Sequence, residues 1–362
     1  MAPELSLAAE GGVWMSWLER VGEGHRLRAA RFDGDRWTEA VTVAEGPDFF
    51  ANWADIPSVV EGEDGELLAH WLAKIGEGTY AYGVFLARST DGGATWRELG
   101  TLHDDRSATE HGFATLLPRP EGGFEAVWLD GRAMAAGGAM SVRAARVVDG
   151  TPRDERVLDD RVCECCQTSA ARSGDDTLVV YRDRSEGEIR DVAMLNADAG
   201  LFAPRLVAED GWHIAGCPVN GPAVAADGGR VAVAWFTAGD DRPRVQAVVS
   251  DDGGARLSPP LEIDGDGPLG RVDTALLADG AAVVSWLGGD GGVWLRRVAA
   301  DGRLGPPVRA AATSTERASG FPRLAAADGV LHLAWTEPAA GGGGRVRFAT
   351  VAASRVPAPG AP

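Results

Sequence analysis

The sequence predicts an all-β chain folded as a β-propeller of seven blades, each of about four strands, and three observations carry that reading. A short apolar strand ends in an aromatic residue at Trp17, Trp71, Trp128, Tyr181, Trp235, Trp286 and Trp335, a repeat of roughly fifty residues that persists along the whole chain. Gly and Pro, 49 and 20 in number, fall between these strands as turn punctuation. No long stretch shows the 3.6-residue period of an amphipathic helix. A unit of this size is one small sheet that cannot bury its own face, so neighbours must stack. A six-bladed ring with irregular ends is the alternative count.

Residues 57–102 serve as the template. Strand a covers 57–60, a turn through Asp64-Gly65 leads to strand b at 67–72, and strand c runs over 82–88 before a short strand d near 97–99. Asp-Gly turns recur at the a-to-b position, as in Asp227-Gly228, Asp279-Gly280 and Asp328-Gly329, where positive φ favours Gly. Strands a begin near Leu5, Pro57, Phe113, Thr168, Pro222, Asp273 and Pro322. The repeat is not interrupted by a linker, so one domain over 1–362 is expected, with a flexible Pro/Ala/Gly tail from position 355.

The chain carries 35 basic and 53 acidic residues, a net charge of −18, with no Lys/Arg run to follow a phosphate backbone, which argues against nucleic acid as a partner. No apolar stretch is long enough to span a bilayer. A monomer with a carbohydrate or other small-molecule ligand is expected. Four Cys, an even number, suit an oxidising compartment, so a secreted or periplasmic protein is expected; the opening Met1-Ala2-Pro3-Glu4 carries no export signal.

After strand c of the second unit comes Ser89-Thr90-Asp91-Gly92-Gly93-Ala94-Thr95-Trp96, and Ser250-Asp251-Asp252-Gly253-Gly254 is a degenerate copy at the same position of the fifth unit. The first run resembles the Asp box of the sialidase (neuraminidase, BNR-repeat) superfamily. The resemblance implies a propeller whose Asp boxes lie opposite the ligand face. In sialidase-like members it also implies an arginine cluster, a Tyr/Glu nucleophile pair and an Asp acid/base. No catalytic residue is carried over from it.

In a propeller the d-to-a segments and b-to-c loops emerge on one face, and here those segments hold the unusual residues. All four Cys and three of the six His lie on d-to-a segments. Three readings compete for this face. The first is a glycan-acting hydrolase of exo-glycosidase type that needs no cofactor. Its two carboxyl groups would come from Asp55, Asp104, Glu110, Asp130 and Asp183. Arg106, Arg132, Arg182 and Arg184 would grip an acidic sugar, with Trp53 and Asn220 as further substrate contacts. Set against this, Arg182, Asp183, Arg184 and Glu188 also suit a structural ion-pair ladder.

The second reading is a Cu or Zn site built from Cys163, Cys165, Cys166, His213 and Cys217, with His103 and His111 nearby, since thiolate and imidazole suit those ions. The bland alternative is a disulfide from Cys217 to Cys163, Cys165 or Cys166. The third reading is a protein- or glycan-binding platform without catalysis. A polysaccharide lyase using Tyr80 with His103 or His111 is a fourth option.

Overall fold

The computed structural model describes residues 3–62, 64–198, 203–339 and 342–360. Seven antiparallel sheets follow one another along the chain, the seven blades of a β-propeller, and six have four strands in simple sequential order. The seventh has three, Arg323–Ala327, Val330–Pro338 and Gly344–Ala352. Among the described residues helix is confined to short 3-10 turns such as Met134–Ala136. None of them is long and apolar enough to cross a membrane.

The chain divides into two compact units, 1–164 and 165–362. The first holds three blades. Its second blade is Ser58–Glu61, Leu67–Lys74, Tyr82–Ser89 and Arg97–Thr101, which matches the template strand for strand. Trp71 and Trp128 are buried between blades with Leu67, Leu68, Leu86 and Phe124. Aromatic stacking extends this core: Phe49 lies on Trp71 with centroids 5.7 Å apart, and Phe50 on Tyr82 at 4.1 Å.

The second unit holds four blades, and Tyr181, Trp235 and Trp286 fill its inter-blade layers. A buried indole N–H needs an acceptor. Trp235 donates to Asp210 at 2.7 Å and Trp286 to Asp264 at 2.6 Å, each a residue near the outer strand of its neighbour. At the C-terminal end Val356 is buried with Leu277 and Leu324, and Arg303 donates to the Gly360 carbonyl at 3.0 Å.

Neighbouring blades are registered by one recurring bond. A side-chain oxygen at the entry of one blade accepts a backbone N–H at the entry of the next. In the first unit Asp55 takes Phe113 at 2.6 Å. In the second, Gln167 takes Gly221 at 2.9 Å, Asn220 takes Arg271 at 2.7 Å, and Asp273 takes Leu324 at 2.8 Å. Phe113, Arg271 and Leu324 lie on the first strand of their blade, which pairs with a strand of its own sheet along one edge only, so a donor on the other edge needs a partner from the neighbouring blade.

The Ser89 and Ser250 turns share one bonding pattern. Ser89 Oγ accepts from Gly93 N at 2.9 Å, and Asp91 accepts from the N–H and hydroxyl of Thr95 at 2.9 and 2.6 Å. Ser250 accepts from Gly254 at 3.0 Å, and Asp252 from Arg256 N at 2.9 Å. The bonds from Thr95, with one donated by the Ser89 hydroxyl at 2.8 Å, hold the exposed Asp91 carboxyl down at about 2.

Candidate functional site

In the first unit the segments entering the second and third blades meet the start of strand Tyr82–Ser89. Glu110 is fixed by its backbone: it bridges to Tyr82, and its carbonyl accepts from Gly131 N at 2.8 Å. Its half-buried side chain receives a short hydrogen bond from the Tyr82 hydroxyl. Asp55 packs against the same tyrosine. A Cβ at Gly112 would lie 2.2 Å from Asp55 Oδ2 and 2.9 Å from the Tyr82 ring, so only glycine lets the carboxyl approach. Asp55 is 2% exposed, and its Oδ1 has no hydrogen-bond partner among the described residues.

This crowding sets the protonation of the cluster. Burial pushes Asp55 up to about 8; the bond from Phe113 opposes the rise and the Glu110 charge adds to it. Burial also raises Glu110, with the Tyr82 bond pulling the other way. Tyr82 rises well above its ordinary value, through burial first and then through the Asp55 and Glu110 charges. Tyr82 is fully buried, so of the three groups Glu110 is the one open to a ligand.

Beside this trio lies a stacked pair of imidazoles, His103 and His111, with centroids 3.8 Å apart. His103 Nδ1 bonds the Asp105 carbonyl at 2.9 Å, and burial, reinforced by the His111 charge, lowers His103 to about 4. His111 is held between Asp130 at 3.0 Å and Asp105 at 3.1 Å. Asp105 is held below its usual range: burial works against this, and bonds from Ser107 and the His111 charge overcome it.

Asp130 is enclosed by His111, Trp128 Nε1 at 3.0 Å and Arg132 Nε at 2.7 Å. Burial would raise it, but those bonds hold it far below the carboxylate range. Arg132 also reaches Asp104 at 2.9 Å and Glu155 at 2.6 Å, and Arg143 joins Glu155 at 3.0 Å. Asp104 and Asp130 thus face guanidinium groups. Arg106 is exposed and bonds the Thr101 hydroxyl and, at 3.4 Å, the His103 carbonyl. Trp53 is half-buried, and Tyr80 stands 62% exposed.

In the second unit the dense charged run is used within the fold. Arg182 is fully buried over the Trp212 ring at 4.8 Å and donates to the carbonyls of Arg190, Asn220 and Phe236 at 2.6, 2.8 and 2.7 Å. Arg184 and Arg190 converge on Glu188 at 2.5 and 2.8 Å, while Asp183 Oδ1 accepts from Arg184 N at 2.7 Å. Of the ladder expected from Arg182, Asp183, Arg184 and Glu188, the Arg184–Glu188 pair is an ion pair, whereas Arg182 is bound to carbonyl oxygens. Asn220 is a latch residue whose Nδ2 also reaches the Leu269 carbonyl at 3.3 Å.

Cys165 and Cys217 form a disulfide with Cα atoms 6.0 Å apart. Cys166 is buried beside Cys165 in this unit, Cys163 is buried at the end of the first, and His213 is exposed. Two residues of the first-unit cluster escaped the sequence reading. Tyr82 opens strand c and shares its face with Val84 and Leu86, a period-2 apolar row that marks it as the inward ring, whereas Tyr80 precedes the strand. Asp105 lies between Asp104 and Arg106, both of which were considered.

No family model matches the sequence, and no curated protein matches it. The fold does match solved structures. The polysaccharide lyase Uly1 is 10% identical with a TM-score of 0.57, over 96% of this chain and 88% of that one. The leech intramolecular trans-sialidase complexed with 2,7-anhydro-Neu5Ac is 12% identical, TM-score 0.52, over 97% and 89%. Aleuria aurantia lectin, in complex with α-methyl-L-fucoside, is 11% identical, TM-score 0.51, over 84% and 96%. At these identities the likeness is one of fold.

Proposed function

We propose that the first unit carries a glycan-acting hydrolase site of exo-glycosidase type, with Glu110 as the group that meets the substrate. The observation that carries this reading is a pair of carboxyl groups on one segment with opposite environments. Glu110 is raised by burial beside Tyr82, and Asp105 is held low by Ser107 and His111. Groups pushed apart in this way divide into an acid and a base. Glu110 gives its proton to the glycosidic oxygen as the bond to the anomeric carbon breaks. Water then adds its hydroxide to that carbon and its remaining proton to Asp105.

Tyr82 and Asp55 are positioning residues that fix Glu110 from beneath. Of the four arginines considered for an acidic sugar, Arg132 and Arg184 are committed to carboxylates and Arg182 to carbonyls. Arg106 is exposed, and it is the one assigned to the substrate. The fold likeness to a lyase, a trans-sialidase and a lectin, each named for carbohydrate chemistry or binding, is consistent with a sugar ligand.

The test is turnover of a panel of neutral, uronic and sialic aryl glycosides by the full chain and by Glu110→Gln. The expected loss is about 10²–10⁴-fold, smaller for substrates with acidic leaving groups, with an unchanged melting temperature. Full activity in the variant, or no turnover of any substrate by the parent protein, overturns the reading.

A further inference from the structure

Glu110 runs between two loops of the first unit whose outward side chains the hydrolase reading does not use. On one edge its backbone bridges to Tyr82, which follows the loop 75–81; on the other its carbonyl accepts from Gly131 N, which begins the loop 131–139. The first loop is pinned in place. Lys74 Nζ lies 4.6 Å from the Phe50 centroid and donates to the carbonyls of Gly78, at 2.9 Å, and Thr79. A Cβ on Gly76 would stand 2.9 Å from that of Ala108, so this loop packs on the segment that carries Glu110. Tyr80 is two residues from Tyr82, which puts its Cα within about 7 Å of the residue whose hydroxyl bonds Glu110.

The second loop is equally close. A Cβ on Gly131 would lie 2.9 Å from the Glu110 carbonyl oxygen and 3.3 Å from Met134 Sδ. Met134 N donates to the Gly131 carbonyl at 2.9 Å, and Gly137 N to the Met134 carbonyl at 3.0 Å, which fixes the turn. Tyr80 and Met134 are 62% and 40% exposed, so each holds apolar surface in water beside Glu110, and a ligand that covers both is favoured. The surroundings suit an uncharged group. Arg132 is committed to Asp130, Asp104 and Glu155, and positions 133–139 hold only Ala, Met and Gly. Glu77, exposed on the first loop, disfavours an anion.

We propose that Tyr80 and Met134 form the leaving-group subsite, and that the group it takes is an uncharged aromatic aglycone. This rests on Glu110 as the acid that meets the glycosidic oxygen, because the group departing with that oxygen lies beside Glu110. The Tyr80 ring offers a face for stacking, and the Met134 thioether is a flexible contact for a ring edge.

The experiment measures, by calorimetry on full-chain Glu110→Gln, the binding of benzyl and methyl glycosides of glucose, glucuronic acid and N-acetylneuraminic acid. For at least one sugar the benzyl compound is expected to bind about tenfold more tightly than the methyl compound. Tyr80→Ser and Met134→Ser, each added to this background, are expected to cut that ratio to about threefold or less, and Tyr80→Phe to keep it. Both side chains are exposed, so the melting temperature is expected to stay unchanged. Binding needs no turnover: a preference for benzyl compounds in a protein that hydrolyses none of them removes the acid role of Glu110, and with it the assignment to a leaving group. The proposal is overturned by that result, by benzyl and methyl compounds that bind alike or not at all, or by a ratio that survives both serine substitutions together.

Discussion

Asp55 lies against Tyr82 and Glu110, where an acid would be useful, yet it also accepts the Phe113 N–H in the same way that Gln167, Asn220 and Asp273 accept theirs. Two of those equivalents are amides, so the latch needs an oxygen and no charge. A carboxyl raised from 3.8 to about 8 is protonated in the folded state and ionised in the unfolded chain between those values. The folded state then binds more protons, and stability falls as pH rises through that window. Asp55→Asn keeps the acceptor and removes the titration. The expected result is a flatter stability profile between pH 4 and 8, with the variant gaining on the parent protein as pH rises. Urea unfolding at several pH values measures it. An unchanged slope shows that Asp55 is not the buried proton carrier.

At the scale of the element, the latches depend on how closely two entry segments run. A Cβ on Gly221 would stand 2.2 Å from the Gln167 carbonyl oxygen and 2.6 Å from its nitrogen, both backbone atoms that cannot swing aside. Gly221→Ala is expected to cost about 3 kcal/mol or more in denaturant unfolding. Gly228→Ala, at φ +57° with nothing within 4 Å, is expected to cost only about 1 kcal/mol of backbone strain. Equal effects would mean that the junction adapts. The strands themselves were legible because period-2 alternation recurs in every blade and Gly-containing turns, four of them Asp-Gly, join strands a and b. The latches were not: Asp55, Gln167, Asn220 and Asp273 differ in type, and their partners lie 51 to 58 residues away. The charged run at 182–191 held the right residues, but its two readings separate only once Arg182 is seen buried under carbonyls.

For the whole molecule, repetition fixed the blade count while pairing beyond neighbouring strands stayed hidden. The sequence leaves Cys217 with three possible partners, Cys163, Cys165 and Cys166, and composition does not choose among them; the structure pairs it with Cys165. That bond closes a loop of 52 residues. In the chain-entropy account such a closure is worth about 4 kcal/mol, through restriction of the unfolded chain. The folded chain has its inter-blade latches and buried tryptophan layers to hold the same segments in place. Reduction by a dithiol in the presence of a metal chelator should therefore leave the far-UV spectrum at 25 °C unchanged and lower the melting temperature by several degrees. The drop should be matched by Cys217→Ser without reductant. A collapse of the β spectrum on reduction alone would show that the staple, and not the latch series, registers these blades.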